Sequence, residues 1–269
     1  MLAMGFETRL LGRTGLKVGR LGVAASYGVP AAAVERAVEQ GVNYLYWGSM
    51  RRSGFADAIR NLAPQRERLV VVVQSYSRIG ALVGWSVERA LKALRLDYAD
   101  VLLLGIWNRP IPPRILDACR SLKERGRVRF LGTSTHNRRF VSELAAGSDI
   151  DVVHFRYNAA HPGAEIDIFP KMPATGGPGM VSFTATSWGQ LMNPAKVAAG
   201  ERVPTATDCY RFVLTRPEVD VCMTGPANAA QMDTALKALP LGPMSDDEVA
   251  WMKRAAQRFR NRRPSGVDI

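Results

Sequence analysis

The sequence predicts an α/β protein that folds as one (β/α)8 TIM barrel. Eight short apolar or β-branched runs alternate with longer helical patterns over about 250 residues, which is the pattern of this fold. The turn after the first run, LGVAASYGVP, lacks the GxGxxG pattern that a doubly wound nucleotide-binding sheet prefers. A chain of 269 residues, 47% of them hydrophobic, is long enough to bury one large core.

The strand predictions rest on short runs bounded by turn residues. The predicted strands are residues 21–25, 42–46, 69–73, 101–104, 128–132, 152–155, 180–183 and 219–223. The predicted helices are residues 30–40, 54–62, 84–94, 113–125, 138–145, 206–214, 228–239 and 245–260. The helix prediction is supported by VERALKALRLD (87–97), where apolar residues at i, i+3, i+4 and i+7 make a core-facing stripe.

The two ends and one loop complete the predicted architecture of a single barrel spanning residues 1–269. Residues 1–20 contain LGRTGLKVG and predict an N-terminal β-hairpin that plugs the bottom of the barrel. Residues 245–263 predict a basic C-terminal helix and tail. Residues 161–179, rich in Pro and Gly, predict an irregular loop after the sixth strand.

Composition excludes several classes of protein. No run of about 18 uninterrupted apolar residues predicts a membrane span, and the amino-terminal residues show no secretory signal. The three cysteines, Cys119, Cys209 and Cys222, form no CxxC pair, and no element shows metal-ligand spacing. We therefore expect inert core thiols, no metal or iron–sulfur cluster, and a cytoplasmic protein.

The charge balance is strongly basic, with a net charge of +12. One concentration stands out, KRAAQRFRNRR (253–263), with six positive charges and no acid. Because it has no aromatic interleaving beyond Phe259, we interpret it as a solvated helix face and tail, not as a nucleic-acid site. The net charge still favours anionic ligands.

Eight segments, in order, resemble the aldo-keto reductase family from about residue 8 to 260. They include LGRTGLKVGRLG near the start, GVNYLYWGS (41–49), RLVVVVQS (68–75), LKALRLDYADVLLL (91–104) and GRVRFLGTST (126–135). DVVHFRYN (151–158), VSFTATSWGQLM (181–192) and RFVLTRPEVDVCMTGPANAAQM (211–232) continue the series. The resemblance implies the barrel fold and a carbonyl reductase that uses NADPH.

The same alignment places other residues at the family's four catalytic positions. The family's Asp, Tyr, Lys and His correspond to Tyr46, Arg51, Gln74 and Gly105. The charged Asp–Lys pair is thus replaced by two neutral side chains, which we expect to hydrogen-bond across neighbouring strands. We expect Tyr46 and Trp107 to fill the space opened at Gly105. Ordinary reduction of aldehydes by NADPH is predicted to be absent or very slow.

More of the family's cofactor site is preserved. The resemblance assigns it to Ser134, Thr135, His154, Phe183, Gly225 and Gln231. Phe183 would stack on nicotinamide, and residues 225–231 lead into a helix N-terminus, a common anion site in such barrels. At the position where the family has an Arg that would bind the 2′-phosphate, this chain has Asn228. At the position of a later family Asn, it has Ala235. NADP or NAD binding therefore stays open, without support for NADPH preference.

Several residues have both a functional and a structural interpretation. Tyr46 and His154 are candidate proton donors, or simply hydrogen-bonded side chains. Arg51 and Arg52 follow the second strand and either hold an anionic substrate or remain solvated. His136 at the rim is a weaker candidate.

Other side chains would shape the pocket. Trp107 and Trp188 lie just beyond strand ends, where they would wall a pocket or pack in the core. Tyr76 is a further rim hydroxyl, and His161 is expected to be exposed.

Three functions remain open from the sequence. The first is an NAD(P)-dependent oxidoreductase of non-standard mechanism that uses Tyr46 or His154. The second is a catalytically silent ligand-binding barrel, a pseudoenzyme. The third is a non-redox isomerase or lyase that acts on a small anionic substrate. Each would use a small-molecule site at the C-terminal face of the barrel, because a barrel fold alone does not fix the chemistry.

Overall fold

A computed structural model describes residues 5–48 and 52–260 and confirms the predicted barrel. Eight parallel strands close in the order β10-β3-β4-β5-β6-β7-β8-β9, and β1 pairs with β2 in a separate antiparallel sheet. The strands are β1 Arg9–Leu10, β2 Lys17–Val18, β3 Leu21–Ala24, β4 Tyr44–Trp47, β5 Val70–Ser75, β6 Ala99–Ile106, β7 Val128–Thr135, β8 Val152–Arg156, β9 Gly179–Phe183 and β10 Val221–Thr224.

Helices surround the barrel and follow the predicted alternation. They are α1 Ala31–Glu39, α2 Ser53–Asn61, α3 Gly80–Leu94, α4 Pro113–Glu124, α5 Arg138–Ala146, α6 Ala164–Asp167, α7 Ala206–Leu214, α8 Ala229–Leu236, α9 Ala238–Leu241, α10 Asp246–Ala255 and α11 Gln257–Arg260. Among the described helices, none is long and apolar enough to cross a membrane.

Several predicted boundaries move. The second predicted strand begins two residues later, at Tyr44, and the Asn43 side chain before it accepts from Gly19 N–H and donates to the carbonyls of Lys17 and Arg68. The predicted helix 228–239 divides into α8 and α9, and the predicted helix 245–260 divides into α10 and α11. The loop 161–179 contains the single turn α6.

The N-terminal hairpin closes the amino-terminal end of the barrel, as predicted. Leu11 and Val18 are fully buried in the cluster that fills the barrel interior. Between the two strands, Gly12 has a φ of +45°, and a Cβ atom there would lie 2.3 Å from the Gly179 nitrogen. Only glycine allows this close approach of the two backbones.

Three buried aspartates hold the same end of the barrel. Asp100, Asp151 and Asp220 each stand immediately before or at the start of a barrel strand. Their carboxylates accept hydrogen bonds from the backbone N–H groups of Val71, Leu131 and Met180. Each carboxylate also lies within 3.4 Å of an Arg or Lys, so its charge is paired.

Alternate residues of each strand point into the barrel. The lower layers are apolar, with Tyr44, Val72, Val101 and Val181 fully buried. Two residues further along β4, β5, β7 and β8, the next inward-facing side chains are polar. They are Tyr46, Gln74, Ser134 and His154. This change of character positions a site at the carboxyl ends of the strands.

Candidate functional site

A cavity of about 780 Å³ opens at the carboxyl ends of the barrel strands. Aromatic and imidazole rings contribute much of its wall: Tyr27, Tyr46, Tyr76, His136, His154, Phe183, Trp188 and Tyr210. The rest of the wall is formed by apolar residues and glycines together with these neutral polar side chains: Ser26, Gln74, Ser134, Thr184, Thr186, Thr205, Thr224, Gln231 and Thr234. Over residues 5–48 and 52–260, the lining contains no Asp, Glu, Lys or Arg.

Tyr46 and Gln74 meet at the base of this cavity. The Tyr46 hydroxyl donates a hydrogen bond to Gln74 Oε1 across β4 and β5, which confirms the predicted contact. Burial raises the pKa of the Tyr46 phenol far above its ordinary value, and a hydrogen bond with Tyr76 adds to the rise. The phenol is therefore neutral at any physiological pH, and no ammonium group lines the described cavity to lower its pKa.

Gly105 faces inward on β6, and its missing side chain is replaced by a neighbour. A Cβ atom at Gly105 would lie 2.2 Å from Cδ1 of Tyr76, so the Tyr76 ring lies directly against the glycine. The ring nearest to Gly105 is thus that of Tyr76, and the expectation that Trp107 helps to fill this space was wrong. Trp107 is buried outside the cavity, where the Arg78 guanidinium lies 3.7 Å from its ring centroid.

His154 lies deep in the barrel on β8. Its Nε2 shares a hydrogen bond of 2.8 Å with the Tyr44 hydroxyl, and its ring centroid is 6.1 Å from that of Tyr46. Burial lowers the pKa of His154 to about 3. At neutral pH the imidazole is uncharged. His154 can therefore accept or share a hydrogen bond, but it is not present as an imidazolium that could act as a general acid.

The residues assigned to a nicotinamide site are only partly brought together. Ser134 and Phe183 line the cavity beside His154. The Phe183 ring meets the His136 ring edge-to-face, with centroids 5.7 Å apart. Thr135 does not line the cavity, since it lies one residue further along β7 and its hydroxyl donates to Asn108 Oδ1 at 3.1 Å.

The segment that begins α8 is closed by its own side chains. The Asn228 side chain caps the helix by accepting from the Gln231 N–H at 3.0 Å. Gln231 Oε1 accepts from the Ala227 N–H at 2.7 Å. A Cβ atom at Gly225 would lie 2.4 Å from the Tyr27 ring, which shows how closely that ring covers this turn.

These contacts test whether the cavity fits a nicotinamide dinucleotide. The pyrophosphate of such a cofactor needs free backbone N–H groups or cationic side chains. The N–H groups of Ala227, just before α8, and of Gln231, in its first turn, are already bonded, and the described lining holds no Lys or Arg. The described lining residues therefore supply none of the Lys or Arg side chains, and only some of the free N–H groups, that the phosphate groups would need.

The predicted anion-holding arginines do not form a described site. Arg52 donates to the Gly48 carbonyl at 3.0 Å, and its guanidinium lies 4.6 Å from the Trp47 ring centroid. Arg52 is absent from the cavity lining. Arg51 lies outside the described residues. His161, expected to be exposed, is half-buried and bonded to Asn158.

Sequence reasoning singled out Trp188 but missed the rest of the loop after β9, which supplies much of the cavity wall. Three residues there, Thr184, Ser187 and Trp188, have positive φ angles between 50° and 61°. Trp188 is 60% exposed and lines the cavity as predicted, as does Tyr27, which the sequence did not single out. Non-glycine residues at positive φ carry no sequence signal, because the surrounding fold imposes the conformation.

The described residues contain no group of three or more His, Cys, Asp or Glu side chains that could hold a metal ion. All three cysteines are buried and unbonded. Burial raises the pKa of each thiol, that of Cys119 to about 12. The expectation that the three cysteines are buried in the core is thus confirmed.

The structure is a closed (β/α)8 barrel with an amino-terminal hairpin and a cavity at the carboxyl ends of its strands. The chain belongs to the aldo/keto reductase family, whose family model matches residues 31–193. A curated relative, L-galactose dehydrogenase from Arabidopsis thaliana, is 25% identical over an alignment of 219 positions that covers 69% of this chain and 67% of the relative.

Solved structures show the same fold. An aldo-keto reductase from Bacillus halodurans, in its holo form and in its apo form, matches with a TM-score of 0.74 and 18% identity. The match covers 93% of this chain and 96% of the other. At this level of identity the likeness concerns the fold alone.

Proposed function

We propose that this chain is a ligand-binding member of the aldo/keto reductase family that does not perform NADPH-dependent carbonyl reduction. The observation that carries the proposal is the neutral Tyr46–Gln74 hydrogen bond, at the two positions where the family resemblance places a charged Asp–Lys pair. Tyr46 and Gln74 satisfy each other, and nothing in their contact supplies or removes a proton at neutral pH.

The proton donor that carbonyl reduction needs is the first missing part. A general acid works best when its pKa lies near the operating pH. The pKa of Tyr46 is far above that range, and the pKa of His154, about 3, is far below it. Gly105 removes the side chain that would orient a carbonyl in the family arrangement, and Tyr76 occupies the space.

The cofactor's binding groups are the second missing part. The start of α8 is capped by Asn228 and Gln231, and the described cavity lining has no cationic side chain. A cavity of about 780 Å³, lined by aromatic, apolar and hydroxyl-bearing side chains, nevertheless persists. This volume lies within the range typical of small-molecule sites, which supports retained binding.

The direct test is a turnover assay. The purified chain is incubated with NADPH or NADH and a panel of aliphatic and aromatic aldehydes, and cofactor absorbance is followed. We expect consumption indistinguishable from buffer, while circular dichroism shows a folded α/β protein. Saturable turnover of ordinary aldehydes would overturn the proposal.

A second candidate, an oxidoreductase of non-standard mechanism, is favoured by one observation. Ser134, His154 and Phe183, the residues on the nicotinamide side, all line one cavity. This candidate requires dinucleotide binding, whereas the ligand-binding proposal does not. The third hypothesis is an isomerase or lyase that acts on an anionic substrate. The described lining contains no Lys or Arg that would bind such a substrate.

A further inference from the structure

We propose that the cavity binds an uncharged, planar and largely apolar molecule that also occupies the space beside α8. The inference rests on the proposed function, since a dinucleotide held in the family manner would fill the same space. It goes beyond that function by naming the ligand class. The structural basis is the charge, the shape and the free polar groups of the cavity wall.

Charge is separated along the barrel axis. The buried carboxylates Asp100, Asp151 and Asp220 all lie at the amino-terminal end, each paired with a cation. At the opposite end, the described lining contains no Asp, Glu, Lys or Arg side chain. A charged ligand would lose its hydration there and find no counter-charge, whereas an uncharged ligand avoids that cost.

The walls of the cavity favour a flat molecule. Phe183 ends β9 and Trp188 lies in the loop that follows it, and both line the cavity, as do Tyr27 and Tyr76. Trp188 is 60% exposed, and a large ring left open to solvent at a cavity mouth gains most from covering by another apolar surface. Aromatic pairs add stacking or edge-to-face attraction to the buried area.

A few uncommitted polar groups define what the ligand can carry. The hydroxyls of Ser26 and Ser134 line the cavity, and neither donates or accepts a side-chain hydrogen bond with another described residue. Gln231 uses its oxygen on Ala227, which leaves its amide nitrogen as a donor. These groups suit a carbonyl, ether or hydroxyl substituent, and a few such contacts are enough to orient an apolar ligand.

The test uses a neutral probe and its anionic near-isostere. Calorimetry measures binding of 2-acetylnaphthalene and of 2-naphthoate, which share a ring system and differ mainly in the methyl ketone against the carboxylate. We expect the ketone to bind at least tenfold more tightly. NADPH added at millimolar concentration is expected to leave the affinity of the ketone unchanged.

Matched variants locate the bound probe. Trp188→Ala is expected to weaken the ketone at least fivefold, whereas Trp85→Ala is expected to leave its affinity unchanged. The exposed fraction of Trp85, 58%, is similar to that of Trp188, but Trp85 lies on α3 and does not line the cavity. The pair therefore separates a stacking contact from the general loss of a surface tryptophan.

The outcomes distinguish this inference from the proposed function. Equal or tighter binding of naphthoate, binding of neither probe, or equal effects of the two variants would overturn the inference and leave the function proposal standing. Displacement of the ketone by micromolar NADPH would instead overturn the proposed function. Selective ketone binding that depends on Trp188 alone supports both.

Discussion

The Tyr46 hydroxyl donates to Gln74 Oε1 across two neighbouring strands of the barrel. The family resemblance places a carboxylate and an ammonium group at these positions. An isolated charge in a barrel interior is costly, because it loses its hydration without gaining a partner. Replacement of both the carboxylate and the ammonium group by neutral side chains that bond to each other leaves no unpaired charge in the barrel. It also removes the charged pair that would lower the pKa of a proton donor.

This relationship predicts strong coupling between charged substitutions. Tyr46→Asp alone and Gln74→Lys alone each place an unpaired charge at the base of the cavity and should lower the free energy of unfolding by about 2–4 kcal/mol. The double variant pairs the charges and should be more stable than the sum of the single effects predicts, by at least about 1 kcal/mol. Urea unfolding of the four proteins measures this; strict additivity would show that the two sites do not interact.

Gly105 and Tyr76 are predicted to depend on each other. A Cβ atom at Gly105 would lie 2.2 Å from Tyr76 Cδ1, so Gly105→Ala must displace the Tyr76 ring and should cost about 1–3 kcal/mol. Tyr76→Ala removes the obstacle, and the cost of Gly105→Ala should largely disappear in that background. Thermal and urea unfolding provide the measurement. An unchanged cost in the Tyr76→Ala background would contradict the packing described.

His154 is predicted to make stability depend on pH. Its folded-state pKa of about 3 lies below the ordinary value, so the unfolded chain takes up this proton first as the pH falls. Its contribution is fully present above about pH 6.5 and is lost as the pH falls towards 3.

The His154→Gln variant isolates this effect. Below about pH 6, the wild-type free energy of unfolding should fall relative to that of the variant by up to about 1.4 kcal/mol per pH unit. Subtraction of the two curves removes the titration of shared carboxylates. A difference that stays flat between pH 6 and 4 would show that His154 is not buried in its neutral form.

The cysteines are predicted to be unreactive in the folded protein. Cys119, Cys209 and Cys222 are fully buried, and burial raises the pKa of each thiol, so the reactive thiolate is scarce. An aromatic disulfide reagent at neutral pH should label none of them rapidly, and all three in denaturant. Fast labelling of a native thiol would place that cysteine at an accessible position.

The sequence predicted the fold well because local periodicity carries most of its information. Eight runs and their helices matched barrel strands and helices to within a few residues, and the two-strand hairpin closes the predicted end. The Tyr46–Gln74 contact was also predictable, since neighbouring parallel strands in a barrel bring such positions together.

The rest of the cavity could not be predicted, because it depends on long-range packing. Tyr76, just beyond the end of β5, packs against Gly105. Several aromatic residues lie near the strand ends, and their spacing in the sequence does not show which of them takes this place. Tyr27 covers Gly225 from almost 200 residues away in the chain. The same holds for Trp188, whose positive φ is set by its surroundings.

The most direct test of the altered cavity is a calorimetric titration of the purified chain with NADPH and then with NADH. With the start of α8 already capped and no cation in the described lining, we predict no binding heat for either cofactor up to millimolar concentration. Binding of either cofactor at micromolar concentration would contradict the loss of the dinucleotide site and would favour the oxidoreductase of non-standard mechanism.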